Sequence, residues 1–240
     1  MMLSPFNLPE GIVLLITDEL SSPADFLLHQ LVSSHLKDSK SAKSVILSVS
    51  EGVERWKAIA AKSNVNITQC ISSGALTFID VMSHVRSSLD SSTPPTRFFL
   101  HDLLTSQLNA TEEPLLIVID DIISLQWIGF SILDISRFTR SLRALSQQAR
   151  STLVIRHHNV TPEEPDDVFR HMLHLCTYHL EVRPLSSGRS GSVSGEIALH
   201  PGMSTSVTGV KLIPRSSAIQ YRLADTGANF FDRGTGVGIL

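Results

Sequence analysis

The sequence predicts a single α/β domain: a mostly parallel sheet flanked by helices, with an antiparallel C-terminal extension. Three observations predict it. Short continuous apolar runs, suited to strands buried on both faces, recur at residues 11–17 (GIVLLIT), 44–49 (SVILSV) and 115–119 (LLIVI). Helix-length amphipathic stretches lie between such runs, the pattern of crossover connections in a parallel sheet. After residue 175 the helices stop, and strand-like runs follow one another across Gly- or Ser-bearing turns. One shared core is the economical arrangement for 240 residues. The chain therefore reads as one domain, 1–240, with a body to about residue 175 and a β-rich extension over about 176–240.

Residues 11–17 form the first strand. Ser22 is a suitable N-cap for the helix after it, Pro23 fits a first turn, and Asp25 can close a capping box. Phe26, Leu27, Leu28, Leu31, Val32 and Leu36 mark one face of that helix to about Lys37. The second strand, 44–49, leads to an amphipathic stretch around 53–62. Residues 67–71 and 76–79 are short strand candidates, 91–96 (SSTPPT) a loop, and 98–108 a helix. The strongest strand, 115–119, ends in Asp120-Asp121. Beyond it Ile128, Ile132, Ile135, Phe138, Leu142, Leu145 and Ala149 share one helical face. Residues 152–156 (TLVIR) form the next strand, and a polar, proline-containing loop over 157–167 enters a short helix at 167–175. The runs 178–185, 196–200, 207–213 and 219–224 read as an antiparallel meander on one sheet edge, with a flexible low-complexity loop at 186–195 (SSGRSGSVSG). In this order the elements describe a RecA-like, P-loop ATPase-type arrangement.

Composition narrows the function classes. Charged residues are only 18% of the chain, against roughly 25% in an ordinary soluble domain. Hydrophobic residues reach 42%. So few charges hint at an obligate partner covering part of the surface. A net charge of −3 excludes electrostatic nucleic-acid binding by the molecule as a whole and leaves it to a local patch. Cys70 and Cys176 form no CxxC and suit a reducing compartment. The N-terminal apolar run lacks a basic flank and is too short to span a bilayer. The expected location is the cytoplasm and nucleus, away from membranes.

The segment that should hold nucleotide phosphates is the informative one. In a P-loop protein the first strand runs into GxxxxGK[ST], whose backbone N–H groups and lysine cradle the phosphates. Here residues 17–23 read TDELSSP, with no glycine, no lysine, and two carboxylates where the phosphate would lie. Asp25 would compete for the N–H groups of the helix start. The nucleotide-binding motifs are thus absent, and neither a catalytic residue nor a cofactor is expected. Residues 115–120 keep a Walker-B-like pattern, four apolar residues and an acid. Without a phosphate loop, Asp120 and Asp121 either cap their turn or face a neighbouring subunit. The ten histidines include His157-His158 and the pair His171 and His174, but no HExxH-like spacing, so no metal is expected.

Arg137, Arg140 and Arg143 recur opposite the apolar stripe of the periodic helix, with Arg150 beyond and only Asp134 to offset them. They form either a solvated basic face or a contact with phosphate or an acidic subunit. In RecA-like folds the loop after the strand 152–156 faces the central channel where nucleic acid runs. Arg156, His157 and His158, together with Arg140, are accordingly the candidates for an RNA contact. Trp127 and Phe130 (in ISLQWIGF) serve either core packing or a subunit interface.

Several segments taken in order resemble the elongator complex protein 6 family: residues 25–37 (DFLLHQLVSSHLK), 114–144 with its paired aspartates, 153–159, 219–231 and 234–240. The resemblance implies a RecA-like fold without working nucleotide motifs. It also implies a heterohexameric ring with elongator complex proteins 4 and 5, two copies of each chain. That ring would bind tRNA and join the catalytic elongator subunits that begin modification of the wobble uridine. Nothing is carried onto residues 186–195. The reading is a non-catalytic ring subunit for assembly and tRNA placement. Its rivals are another RecA-like non-catalytic paralogue (a scaffold or recombination mediator), an enzyme using Asp120 and Asp121, and a scaffold with no nucleic-acid role.

Overall fold

The computed structural model describes residues 5–39, 41–89, 114–162, 164–185, 187–188, 190–205, 209–225 and 227–234. The loop expected at 91–96 and the helix at 98–108 lie outside them, as do 207–208 and 235–240. The body comprises β1 (Val13–Glu19), α1 (Asp25–Asp38), β2 (Lys43–Ser48), α2 (Val53–Lys62), α3 (Ile67–Ser72), β3 (Leu76–Asp80) and α4 (Val81–Leu89). It continues with β4 (Leu115–Ile119), α5 (Ser124–Trp127), α6 (Ile132–Gln148), β5 (Thr152–Asn159) and α7 (Asp167–Leu175). The extension holds β6 (Tyr178–Arg183), β7 (Gly195–Pro201), a 3-10 turn (Arg215–Ser217), β8 (Ile219–Ala224) and β9 (Gly227–Phe231).

All nine strands join one sheet in the order β3-β2-β4-β5-β1-β6-β7-β8-β9. Pairing is parallel from β3 to β6 and antiparallel from β6 to β9. The switch follows from the connections. Parallel neighbours need a crossover, supplied in the body by helices, whereas β6 to β9 return directly.

The continuous apolar runs have the expected cause. Along β1, Leu14 and Ile16 point to a core shared with Ile46, Leu116, Val118, Val154 and Leu180, while Val13 and Leu15 join Leu47, Ile117, Ile119 and Ile155 on the opposite face. The first face is covered by α1 and α2 through Leu27, Leu28, Leu31 and Trp56. The second is covered by α4, α6 and α7 through Val85, Ile135, Phe138, Leu142 and Met172. A strand with helices on both sides has no wet face, so alternation disappears from its sequence.

Four local expectations need correction. Residues 67–71 are helical: the Asn66 side chain accepts the Gln69 N–H at 3.1 Å and caps α3, and β-branched composition gives way to that cap. The periodic helix does not include Ile128. Gly129 adopts φ 106° and breaks the chain, and Ser131 then caps α6 by accepting the Asp134 N–H at 3.1 Å. Ser22 is not the cap of α1. That helix begins at Asp25 after Ala24, while Ser22 is buried in a bridge to Glu19. Within 209–213 only Ile213 pairs, in a bridge to Leu199.

Gly202 marks the tightest joint between body and extension. Its N–H donates to the Thr177 carbonyl at 2.8 Å, and a Cβ there would overlap the Cys176 carbonyl and press on its sulfur. Gly202→Ala should lower unfolding free energy by about 1–3 kcal/mol. Gly191→Ala, in an open loop with nothing within 4 Å, should stay within about 0.5 kcal/mol. Urea denaturation of the two variants checks the contrast.

Candidate functional site

In an open α/β sheet, ligands bind beyond the carboxyl ends of the parallel strands. Here that edge holds the polar residues singled out from the sequence, because β1, β4 and β5 all end there. The parallel register sets Asp18 beside His158 and Glu19 beside Asn159.

Asp18 is the centre of the group, with its side chain wholly buried. Its Oδ2 accepts the Ala24 N–H at 2.6 Å, so the carboxylate caps α1 from six residues away. His158 Nδ1 lies 2.9 Å from Oδ1, and Arg156 Nε lies 3.8 Å from Oδ2. The Arg156 Nη1 pairs with Asp25, the residue expected to close a capping box. Burial lowers the Arg156 pKa from its ordinary value, and Asp18 acts against that. The hydrogen bond to Asp18 raises the His158 pKa above its usual range, against burial. Sequence reasoning saw carboxylates in the phosphate position but not this closure, which joins residues 140 positions apart.

Asp120 and Asp121 behave differently from each other. Asp120 turns back over β2. Its Oδ1 accepts the Val49 N–H at 2.7 Å, and its Oδ2 accepts the Ser48 hydroxyl and, at 3.2 Å, the Glu51 N–H. Burial pushes its carboxyl up to about 6, opposed by these donors. Its carboxylate closes the β2–α2 connection rather than its own turn. Asp121 is buried as well; Ser124 donates to its Oδ2, while Oδ1 has no hydrogen-bond partner among the described residues. Burial raises its pKa, with His157 and His158 acting the other way.

His157 is fully enclosed. Nδ1 is 3.1 Å from the Asn159 side-chain oxygen, and Nε2 is 3.0 Å from Asp166 Oδ2. Asp166 also caps α7 by accepting the Phe169 N–H at 2.8 Å. Burial tends to raise the Asp166 pKa, but the His157 and backbone hydrogen bonds prevail and hold it low. Of the four candidate RNA contacts, Arg156 and His157 are thus turned inward, His158 is partly open, and Arg140 is exposed on α6. The aromatic pair divides as well. Phe130 lies in the core beside Ile135 and Phe138, whereas Trp127 is 64% exposed at the end of α5. Leu20 (86% exposed) and Val160 (59%) follow the paired ends of β1 and β5, adding apolar surface to the same edge. Among the described residues no group of three or more His, Cys, Asp or Glu could hold a metal ion.

Comparison with known proteins agrees with this architecture. The profile of the family described as elongation complex protein 6 matches residues 1–225. The chain belongs to that family. Elongator complex protein 6 of Danio rerio is 23% identical over 265 residues, covering 99% of this chain and 96% of that protein. Among solved structures, a KaiC-like protein from the hyperthermophilic archaeon Pyrococcus horikoshii OT3 superposes with a TM-score of 0.65. It is 12% identical over 93% of this chain and 91% of that one, a likeness of fold alone. The fold of this family member is RecA-like, with an antiparallel extension.

Two predictions follow from the closed acids. Asp120→Ala strands the Val49 and Glu51 N–H groups and should cost about 2–3 kcal/mol in denaturant unfolding. The second concerns pH. The folded His158 pKa is raised above an unfolded value of about 6.5. Its pairing with Asp18 therefore stabilises fully below about pH 6.5 and is lost as pH rises through the folded pKa. The stability gap between wild type and His158→Gln should be larger at pH 5.5 than at pH 8.5. A gap that ignores pH would contradict the pairing.

Proposed function

We propose that this chain is a non-catalytic subunit of the elongator complex that works by assembly. Family membership supports an elongator subunit. The observation that carries the non-catalytic reading is Asp18: its buried carboxylate already occupies the helix start where this fold receives phosphate. With Asp120 committed to the Ser48–Glu51 connection, neither acid is free to organise a nucleotide and its cation.

In this reading the chain forms a heterohexameric RecA-like ring with elongator complex proteins 4 and 5, two copies of each. The ring joins the catalytic elongator subunits, binds tRNA and supports wobble-uridine modification in the cytoplasm and nucleus. Trp127 supports the assembly part, since a large aromatic 64% exposed at the end of α5 suits a protein neighbour. Arg140, exposed on α6, supports the tRNA part as a charge open to a phosphate backbone.

A second reading is favoured by a specific observation. Arg156 and His157 are both buried against carboxylates, so two of the four candidate contacts do not offer charge to a nucleic acid. On that reading the chain is a scaffold and its ring partners hold the tRNA.

Native mass spectrometry of the chain co-expressed with elongator complex proteins 4 and 5 should give one species with two copies of each. A monomer that ignores both partners would overturn the proposal. In the assembled ring, Arg140→Glu should weaken tRNA binding about fivefold by loss of a phosphate contact. Unchanged affinity with an intact ring would leave the scaffold reading. Trp127→Asp should lower the yield of ring without unfolding the chain.

A further inference from the structure

A cleft on the flank of α1 is built from groups that the carboxyl edge does not use. It holds about 360 Å³, within the range of small-molecule sites, and lies between α1, α2 and the joined ends of β8 and β9. Asp18, Ala24, Asp25 and Arg156 are not in its walls. The lining changes in kind along α1. At one end Phe26 is half-buried: its ring packs on Tyr221, with centroids 4.8 Å apart, and its open side lines the cleft. Midway stand His29 and Gln30. At the other end Lys37, in the last turn of α1, and Lys62, in the last turn of α2, are both exposed. About 16 Å of helix separates Phe26 from Lys37.

The middle of the cleft lacks partners of its own. The His29 side chain is 6% exposed, and its Nε2 lies 3.5 Å from Glu51 Oε2. That carboxylate favours the proton on Nε2 and leaves Nδ1 as an acceptor. Nδ1 and the Gln30 Oε1 are both shut off from water, and neither has a hydrogen-bond partner among the described residues. Buried polar atoms are nearly always paired in a native fold. The last torsion of a glutamine is broad, so a rotation there turns the Gln30 amide into the cleft. The cleft thus offers, in order, a ring to stack on, two acceptors without donors, and two cations. A base, its ribose hydroxyls and its phosphate follow the same order.

We propose that this cleft binds a nucleotide unit, with the base against Phe26, the sugar hydroxyls at His29 and Gln30, and the phosphate between Lys37 and Lys62. Aromatic stacking tolerates any base, so the selectivity is for the unit rather than for one sequence. Two features limit its strength: Asp225 lines the same cleft, and Lys37 Nζ already donates to the Ser63 carbonyl. The expected dissociation constant for a mononucleotide is about 0.5 mM. The unit comes either free in solution or within a single-stranded RNA, and the two sources need separate probes.

The test uses the full chain alone, so either result leaves the ring proposal standing. Ligand-observed NMR titrations are run with AMP, adenosine, inorganic phosphate and a single-stranded octaadenylate. AMP should bind about tenfold more tightly than adenosine or phosphate, since each of those fills only one end of the cleft. Gln30→Leu should weaken AMP about fivefold without lowering the melting temperature, because it also removes an unpaired buried acceptor. Lys62→Glu should weaken it about tenfold, and Lys62→Arg should retain it. If AMP fails to bind but octaadenylate binds and both substitutions weaken it, the cleft reads a nucleotide within a strand. Should Gln30→Leu not fold, the exposed Lys62 pair of variants decides. No binding of either probe, or binding that both substitutions leave unchanged, would overturn the proposal.

Discussion

A carboxylate without access to water sets the terms for this end of the molecule. Asp18 sits at 0% exposure, and a buried charge is tolerated only when paired and hydrogen-bonded. The body supplies what it requires from two elements at once: a helix start from α1, and a guanidinium and an imidazole from β5. The dependence runs both ways. Arg156 is itself buried and held by Asp18 and Asp25, so removing either acid exposes a cation to the same penalty. Breaking one partner of such a group costs about 3–5 kcal/mol, a large share of a domain's net stability. The β1–β5 pairing and the placement of α1 are therefore fixed by charge as well as by the apolar faces.

Asp120 repeats the device two strands away, with its carboxylate bent over the β2–α2 connection rather than toward a ligand. With both acids folded inward, the carboxyl edge keeps its charge beneath the surface. What it shows to solvent includes Leu20, Trp127 and Val160. A nucleotide-binding edge has the opposite polarity, with open N–H groups and a cation facing outward. The inversion explains how a chain with only 18% charged residues can spend several of them in the interior and leave an apolar rim. Such a rim is suited to protein contact.

The parallel body is legible in the sequence because β1, β2, β4 and β5 are buried on both faces, and their apolar runs record that directly. The extension is legible because no α-helix interrupts its described residues. Two of the misread elements share one cause: a single polar side chain or glycine outweighs an apolar pattern. Asn66 makes 67–71 a helix, and Gly129 with Ser131 moves the start of α6 past Ile128. The site was half legible. That carboxylates gather at the end of β1 is plain from residues 17–23, but their partners are not. Asp25 and Glu19 go to Arg156 and Arg183, and the cap of α1 comes from Asp18 across the turn. Long-range pairings of this kind carry no local period. The sequence cluster Arg156 to His158 packs against the carboxylates of Asp18, Asp25 and Asp166.

The helix start sets a requirement of its own. The leading N–H groups of α1 must be satisfied in any RecA-like fold, since orphaned buried donors are expensive. Where a nucleotide satisfies them, stability rises and falls with ligand concentration. Where Asp18 does so, the partner is tethered six residues away, and no association entropy is lost on each encounter. The fold then stands at full strength whatever the surrounding phosphate level. That independence is consistent with the proposed assembly role, in which the chain holds a fixed shape against its neighbours.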